Sequence, residues 1–238
     1  MSDVATYALR LGDDALVLSQ QLSWWSSRAP ELEEDLALTN IALDLLGQAR
    51  NLLASVGDED ELAFMREERE FLNLLIVERP NGDFAQTIVR QLLFSIFQLA
   101  RYEALVDHPD EAISGTAAKA VKEVAYHCDH AGEWTRRLGD GTEESHRRMQ
   151  NAIENLWPYT FEMLAHDPLE ATVGVDPATL RERWEEEVRA TLGAATLSEP
   201  EDSGWRPAGG RRGIHGEEFG YLVAEMQSLH RAHPGAKW

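Results

Sequence analysis

The sequence predicts an all-α protein built as a helical bundle. Apolar residues recur at steps of three and four along most of the 238 residues, which is the spacing of one helix face. No stretch shows the alternation of apolar and polar residues that is typical of strands. Short connections between the periodic runs favour antiparallel neighbours in a bundle. Because no sharp change of composition divides the chain, we expect a single domain over residues 1–238, with additional C-terminal helices.

The first two predicted helices have the most regular pattern. Residues 7–27 form one apolar face, which Arg28-Ala29-Pro30 interrupts. The second helix covers residues 31–56, with acidic residues in its first turn and Gly57-Asp58 after its end. Two neighbouring stripes run along it: Leu36, Thr39, Leu43, Leu46 and Arg50 form one, and Ile41, Leu45, Gln48 and Leu52 form the other.

Further helices are predicted over residues 61–78, 84–106, 110–138 and 142–166, and a seventh opens at Asp176-Pro177. The helix over residues 84–106 is apolar over more than half its circumference, so we expect it to be central. Residues 198–216 are rich in glycine and proline and are expected to be irregular. A short C-terminal helix follows over residues 217–233.

Composition and charge exclude several classes of function. The 42 acidic and 22 basic residues give a formal net charge of −20, which repels nucleic acid and anionic membranes. The single cysteine, Cys128, cannot form an internal disulfide and indicates a reducing compartment. The first residues, MSDVATYALRLGDD, lack the apolar core of a signal peptide, and no apolar run approaches the ~20 residues of a membrane span. We therefore expect a cytoplasmic protein with no nucleic-acid or membrane partner.

A di-iron carboxylate bundle needs a Glu from two helices and Glu-x-x-His from two others. At that spacing the second predicted helix offers Leu45 and Gln48. Only Glu143 and His146 fit the pattern, but they lie beside a turn and precede Arg147-Arg148, which is typical of a solvated first turn. The sequence therefore offers no complete ligand set of this kind.

Other polar residues have a structural and a functional interpretation. His127 and His130 are three apart and could share a metal, although a partly buried His127 hydrogen-bonded to a carboxylate is favoured. Asp44 and Gln48 lie one turn apart and are interpreted as part of a polar network, which Glu103 and Glu123 could join.

The segment GGRRGIHGEE, residues 209–218, departs from the acidic background. Its glycines could let the backbone approach a phosphate beside Arg211, Arg212 and His215. The favoured alternative is a basic loop that docks on the protein's own acidic surface or on a partner. No nucleophile elbow, P-loop or dinucleotide-binding motif accompanies it.

Several segments together resemble the C-subunit family of the bacterial phenylacetyl-CoA 1,2-epoxidase, also called the ring-1,2-phenylacetyl-CoA oxygenase complex. LDLLGQARN, ERPNGDFA and the closing GAKW are specific as a set, and the resemblance runs nearly end to end. It is carried by LRLGDDALVLSQ (9–20), PELEEDLALTNIALDLLGQARNLL (30–53), ERPNGDFAQTIVRQ (78–91), KAVKEVAYH (119–127) and residues 213–238. The resemblance implies a ferritin-like fold and a paralogous A subunit that holds a di-iron centre and binds the acyl-CoA.

The resemblance also identifies which ligand positions have changed. The catalytic relative has Glu-Leu-Gly-His where this chain has Leu45-Leu46-Gly47-Gln48, and Glu-x-x-His where it has Val124 and His127. Glu123 is offset by one residue, about 100° around the helix, and cannot substitute. Leu45, Gln48, Val124 and His127 are therefore vestigial positions, and we expect no metal, cofactor or catalytic residue in this chain.

The function implied is that of a non-catalytic structural subunit in aerobic phenylacetate degradation. It would pair with and stabilise the catalytic A subunit, while a separate reductase subunit supplies electrons for the oxygen-dependent epoxidation. We expect a hetero-oligomer, and a homodimer also stays open. Two alternatives remain: a di-iron oxidoreductase that uses Asp44, Glu103, Glu123 and His127, and a free-standing helical binding module.

Overall fold

The computed structural model describes residues 1–236, so Lys237 and Trp238, the last residues of the GAKW segment, lie outside the described part. Residues 1–236 contain helices and no strand, which confirms the all-α prediction. The helices are α1 (Asp3–Ser23), α2 (Leu32–Val56), α3 (Glu59–Phe64), α4 (Leu75–Glu78), α5 (Phe84–Leu105), α6 (Glu111–Gly139), α7 (Glu143–Met163), α8 (Pro168–Thr172), α9 (Pro177–Ala194) and α10 (Phe219–Ala232).

The chain forms two compact units. The first unit comprises Met1–Pro80 with Gly209–Trp238, and the second comprises Asn81–Ala208. The first unit therefore combines the N-terminal helices with the end of the chain. Residues 209–216 of the irregular segment and α10 fold with α1 to α4, whereas residues 198–208 belong to the second unit.

In the first unit, α1 and α2 pack side by side in opposite directions. The hydroxyl of Ser19 donates to the carbonyl oxygen of Ala42 at 2.7 Å, near one end of the pair. Near the other end, a Cβ atom built on Gly12 would lie 2.9 Å from Leu53. Sequence position rises along one helix as it falls along the other, so the short connection predicted an antiparallel pair correctly.

The continuous helix predicted over residues 61–78 is wrong. The structure has α3, a 3-10 turn at Glu68–Glu70, an extended stretch, and the single turn α4. The backbone N–H groups of Leu72 and Leu74 donate to Asp13 and Asp14 of α1 at 2.8 Å, instead of to carbonyls four residues earlier. The apolar residues of this stretch do have helical spacing. Its backbone N–H groups, however, bind side chains that are distant in sequence and not the carbonyls of a helix.

The end of α3 is fixed by side chains from α10. Gln227 donates to the carbonyl oxygens of Ala63 and Arg66 at 3.1 and 2.9 Å. Arg231 donates to those of Phe64, Met65 and Arg66 at 3.0 to 3.2 Å. The last carbonyls of a helix lack a partner four residues later, so α10 satisfies groups that a short helix leaves unpaired.

The second unit is organised around α5, as the sequence predicted. This helix is buried around its whole circumference from Thr87 to Gln98 and contacts α6, α7 and α9. The indole N–H of Trp184, on α9, donates to the carbonyl oxygen of Leu93 at 2.8 Å. Buried Trp groups need such a partner, so this bond fixes α9 against the central helix.

The short helix α8 was not predicted from the sequence. Asp167 accepts the N–H of Leu169 at 2.9 Å, and Pro168 occupies the first helical position. Asp176 and Pro177 begin α9 in the same way. The same capping signal was therefore present at both sites, and it could have identified α8.

No helix within residues 1–236 is long and apolar enough to cross a membrane.

At two glycines of the second unit we expect an added methyl group to have opposite effects on the free energy of unfolding. A Cβ at Gly139 would lie 2.4 Å from the carbonyl oxygen of Ala195, whereas a Cβ at Gly193 meets no atom within 4 Å. We expect Gly139→Ala to lower the free energy of unfolding by ~1–3 kcal/mol through overpacking. Gly193→Ala should raise it by up to ~1 kcal/mol, because alanine has the higher helix propensity. Urea denaturation followed by tryptophan fluorescence measures both; equal effects of the two substitutions would contradict the packing at Gly139.

Candidate functional site

The vestigial positions implied by the resemblance are buried. On α2, Leu45 is 0% exposed and Gln48 is 3% exposed. On α6, Val124 and His127 are also buried. The helix α2 belongs to the first unit and α6 to the second. Leucine and valine carry no donor atom, so the residues at two of these four positions do not fit a di-iron centre.

The three acidic residues of the predicted polar network have different surroundings. Asp44 is half-buried on α2. In the second unit, Glu103 forms an ion pair with Arg183 of α9, and Glu123 forms one with Lys119, one turn away, at 3.2 Å. Each of these two glutamates therefore has its own cation. Within the described residues, no group of three or more His, Cys, Asp and Glu side chains is arranged to hold a metal ion.

Glu143 and His146, which match the Glu-x-x-His spacing, lie at the start of α7. The hydroxyls of Thr142 and Ser145 each accept the other residue's backbone N–H, at 3.1 and 2.9 Å, in a reciprocal cap. The ring Nδ1 of His146 is 2.7 Å from the carbonyl oxygen of Gly139. Glu144 pairs with Arg147 and Arg148 in solvent. These contacts are those of a solvated first turn, as the sequence indicated.

Burial makes Cys128 a poor nucleophile. Desolvation raises the pKa of the thiol to about 11, and a hydrogen bond from Ser95 opposes this effect only in part. Since the thiolate is the reactive form, the raised pKa disfavours nucleophilic reaction at neutral pH.

Asp13 and Asp14 are adjacent residues of α1, and both are completely buried and paired with arginines. Arg66 pairs with both oxygens of Asp13, with Nη1 at 3.0 Å from Oδ2. Arg211 binds both oxygens of Asp14, at 2.9 and 2.8 Å. Burial raises the pKa of Asp13, although Arg66 and the N–H of Leu72 act in the opposite direction. Buried carboxylates require such paired, hydrogen-bonded cations.

Arg211 also connects backbone segments that are far apart in sequence. Its Nη1 donates to the carbonyl oxygens of Arg10 and Leu72, at 3.2 and 2.8 Å. The segment that carries it, residues 209–216, is called the glycine loop below. A Cβ at Gly210 would lie 2.2 Å from the carbonyl oxygen of Asn73. Gly213 has φ of +71°, and its Cβ would lie 2.0 Å from the carbonyl oxygen of Arg69, so only glycine fits at both positions.

Glu78 and His215 form a second buried pair beside the glycine loop. The ring Nδ1 of His215 is 2.7 Å from Oε2 of Glu78, and its Nε2 is 3.0 Å from the carbonyl oxygen of Phe71. Asn73 and the N–H of Gly216 donate to the same carboxylate at 2.9 and 2.8 Å. Both ring nitrogens face acceptors, so the doubly protonated imidazole satisfies both contacts.

Of the three loop residues that the sequence suggested for phosphate or partner contact, two therefore make contacts inside the first unit. Arg211 and His215 bind the chain's own carboxylates, while Arg212 is exposed. These contacts are those expected if the basic loop docks on the protein's own acidic groups. The sequence analysis missed the loop's partners, Asp14 and Glu78, and the neighbouring pair of Asp13 and Arg66. The signal available was Gly12-Asp13-Asp14 within an otherwise apolar helix, because carboxylates are rarely buried there unless paired.

The fold and these contacts define an all-α protein in which buried ion pairs join segments distant in sequence. At two of the four positions that the resemblance compares with metal ligands, this protein has buried apolar side chains. Its full length, residues 1–238, matches the family described as phenylacetic acid catabolic protein, and the chain belongs to that family. It is 48% identical over 249 residues to the C subunit of the 1,2-phenylacetyl-CoA epoxidase of Escherichia coli (strain K12), with both chains covered completely. The resemblance and the ferritin-like class inferred from the sequence are confirmed.

The Asp14–Arg211 pair predicts a large loss of stability when its cation is removed. We expect Arg211→Met to lower the free energy of unfolding by ~3–5 kcal/mol, because it leaves a buried carboxylate without its counter-ion. Arg147→Met, which breaks an exposed pair on α7, should cost only ~0–1 kcal/mol. Urea denaturation compares the two variants. A loss for Arg211→Met as small as that for Arg147→Met would contradict the buried pair.

His215 predicts a pH dependence of stability. Burial of the ring, the largest influence, lowers its pKa, but Glu78, the Phe71 carbonyl and the charge of Glu68 together outweigh it, so the pKa of His215 is raised. The stabilisation is therefore complete below about pH 6.5, the unfolded value, and is lost as pH rises through the higher folded pKa.

We expect thermal unfolding to show this loss between neutral and alkaline pH. In His215→Gln, which retains a donor but does not titrate, the loss over the same interval should be smaller. Identical pH profiles of the two proteins would show that His215 is not the titrating group.

Proposed function

We propose that this chain is a non-catalytic structural subunit of a multicomponent phenylacetyl-CoA 1,2-epoxidase that acts in aerobic phenylacetate degradation. In that role it pairs with and stabilises a paralogous di-iron catalytic subunit. The E. coli relative is one subunit of such an epoxidase, which supports membership of a complex. The observation that carries the pairing is a stripe of exposed leucines on α2.

The α2 stripe consists of Leu32, Leu36, Leu43 and Leu46, which are 72%, 57%, 58% and 37% exposed. With Thr39 and Arg50 the positions follow steps of four and three. From Leu32 to Arg50 they extend over about 27 Å at a rise of ~1.5 Å per residue. This spacing places the side chains on one line along the helix, the arrangement that packs against a neighbouring helix.

The opposite face of α2 is already used. Leu38, Ile41, Leu45 and Leu52 are completely buried. A helix that is apolar on both faces normally lies inside a structure. Contiguous exposed apolar surface of this kind marks an interaction site. A helix of the catalytic subunit, laid along the α2 stripe, would bury its leucines.

The vestigial positions support a role without catalysis. Leu45 and Val124 are buried apolar residues where the resemblance to the catalytic subunit expects carboxylates. Restoring two unpaired carboxylates at such positions would cost several kcal/mol each without a metal. This chain therefore contributes shape and packing. In the complex, the di-iron centre belongs to the partner and a reductase subunit supplies electrons. The single cysteine suits assembly in the reducing cytoplasm.

Substitution within the α2 stripe tests the pairing. We expect Leu43→Glu to weaken the complex with the co-expressed catalytic subunit at least ~tenfold, because a charge would be buried at a helix–helix interface. Co-purification and analytical ultracentrifugation measure the effect. Leu229→Glu on α10 is the matched control, since Leu229 is 56% exposed and the substitution adds the same charge. Equal retention of the partner by both variants would contradict the α2 interface, provided that circular dichroism shows both folded.

Iron content separates this proposal from the alternatives. We expect iron only in the mixed sample of this chain with its catalytic partner, together with a stable hetero-complex. Two irons per lone chain would instead support a di-iron oxidoreductase built from other carboxylates. A lone chain that forms no complex would support a free-standing binding module.

A further inference from the structure

The second unit contains a groove that has no role in the proposed function. It has a volume of about 360 Å³ and lies between α7 and the segment at residues 200–203. Its walls include two aromatic rings (Trp157 and Phe161), two prolines (Pro158 and Pro200) and three carboxylates (Glu154, Glu201 and Asp202).

The charged groups that line the groove are three carboxylates, which accept hydrogen bonds, and the hydroxyl of Ser203 also lines it. Glu201 is exposed, and Glu154 accepts one long bond, 3.4 Å, from Gln150. Pro158 lies inside α7 and has no N–H, so it cannot donate the helical bond to the carbonyl of Glu154. Carboxylates together with such a carbonyl suit a ligand that carries several donors and a positive charge.

The chain's own Arg206 shows how Phe161 and Asp202 bind a guanidinium group. Its guanidinium lies over the ring of Phe161, 4.2 Å from the centroid, and it forms an ion pair with Asp202. A planar guanidinium stacks on an aromatic face while its edge donates to a carboxylate. Trp157 lines the groove beside Glu154 and Glu201, and its ring also packs against Trp184, with the centroids 5.6 Å apart.

We propose that this groove is a docking site for an arginine side chain from an exposed basic segment of a protein partner. Arginine fits better than lysine because its planar group can stack and its five donors match several acceptors. A macromolecular source is favoured by the net charge of −20, which attracts a basic segment over a longer range than a single cation. The site lies on α7 and residues 200–203, so it is separate in sequence from the α2 stripe and does not depend on it.

The test uses the full-length chain and a short acetylated peptide with one central arginine flanked by glycine, serine and two lysines. Calorimetry and Trp fluorescence measure binding at low and physiological salt. We expect millimolar or tighter binding. Replacing the arginine by citrulline, its neutral isostere, or by lysine should weaken binding by about tenfold and by severalfold, respectively.

Matched variants separate the groove from the general acidity of the surface. Glu154→Gln/Glu201→Gln should weaken binding of the arginine peptide by about tenfold, which is ~1.4 kcal/mol. The control Glu217→Gln/Glu225→Gln removes the same charge from exposed positions in the first unit and should change binding less than twofold. Equal weakening by the two double variants, or equal binding of the citrulline peptide, would overturn the proposal. Free arginine amide that binds as tightly as the peptide would assign the groove to a small cation, and absence of binding at low salt would also overturn it.

Discussion

Asp13 and Asp14 are fully buried on α1, and much of the first unit is arranged to satisfy their charges. An unpaired buried carboxylate would cost several kcal/mol, so each requires a cation and further donors. Arg66 and Arg211 supply the cations, and the N–H groups of Leu72 and Leu74 supply the additional bonds. Two segments distant in sequence, residues 66–74 and the glycine loop, are thereby held against one helix.

This constraint explains why the end of the chain folds with its beginning. The glycine loop brings its backbone into contact with residues 69–75, where any side chain at Gly210 or Gly213 would collide with a carbonyl oxygen. That approach brings Arg211 to Asp14 and His215 to Glu78. The polar side chains of α10 then cap α3. Basic residues that resemble a phosphate site in the sequence are thus used to neutralise internal carboxylates.

The sequence predicted those parts of the fold that local patterns determine. Helices α1, α2, α5, α6, α7, α9 and α10 follow from apolar periodicity and capping residues, and the central position of α5 follows from its apolar circumference. The break of residues 61–78 could not be predicted, because Asp13, Gln227 and Arg211 lie far away in sequence and only folding brings them to this backbone. Of the candidate site, the resemblance identified Leu45 and Val124, but periodicity could not distinguish the exposed stripe of α2 from its buried one.

The two stripes of α2 relate the position of Leu45 to the proposed assembly. The resemblance implies a Glu in the catalytic relative at this position, and Leu45 lets the inner face pack as an ordinary apolar core. The outer face then carries leucines that water solvates poorly. A net charge of −20 keeps such a chain soluble through mutual repulsion, and the same charge opposes close association of two identical copies. In the proposed assembly the leucines favour association and the charge opposes self-association, which is why we propose a different chain as the partner on α2.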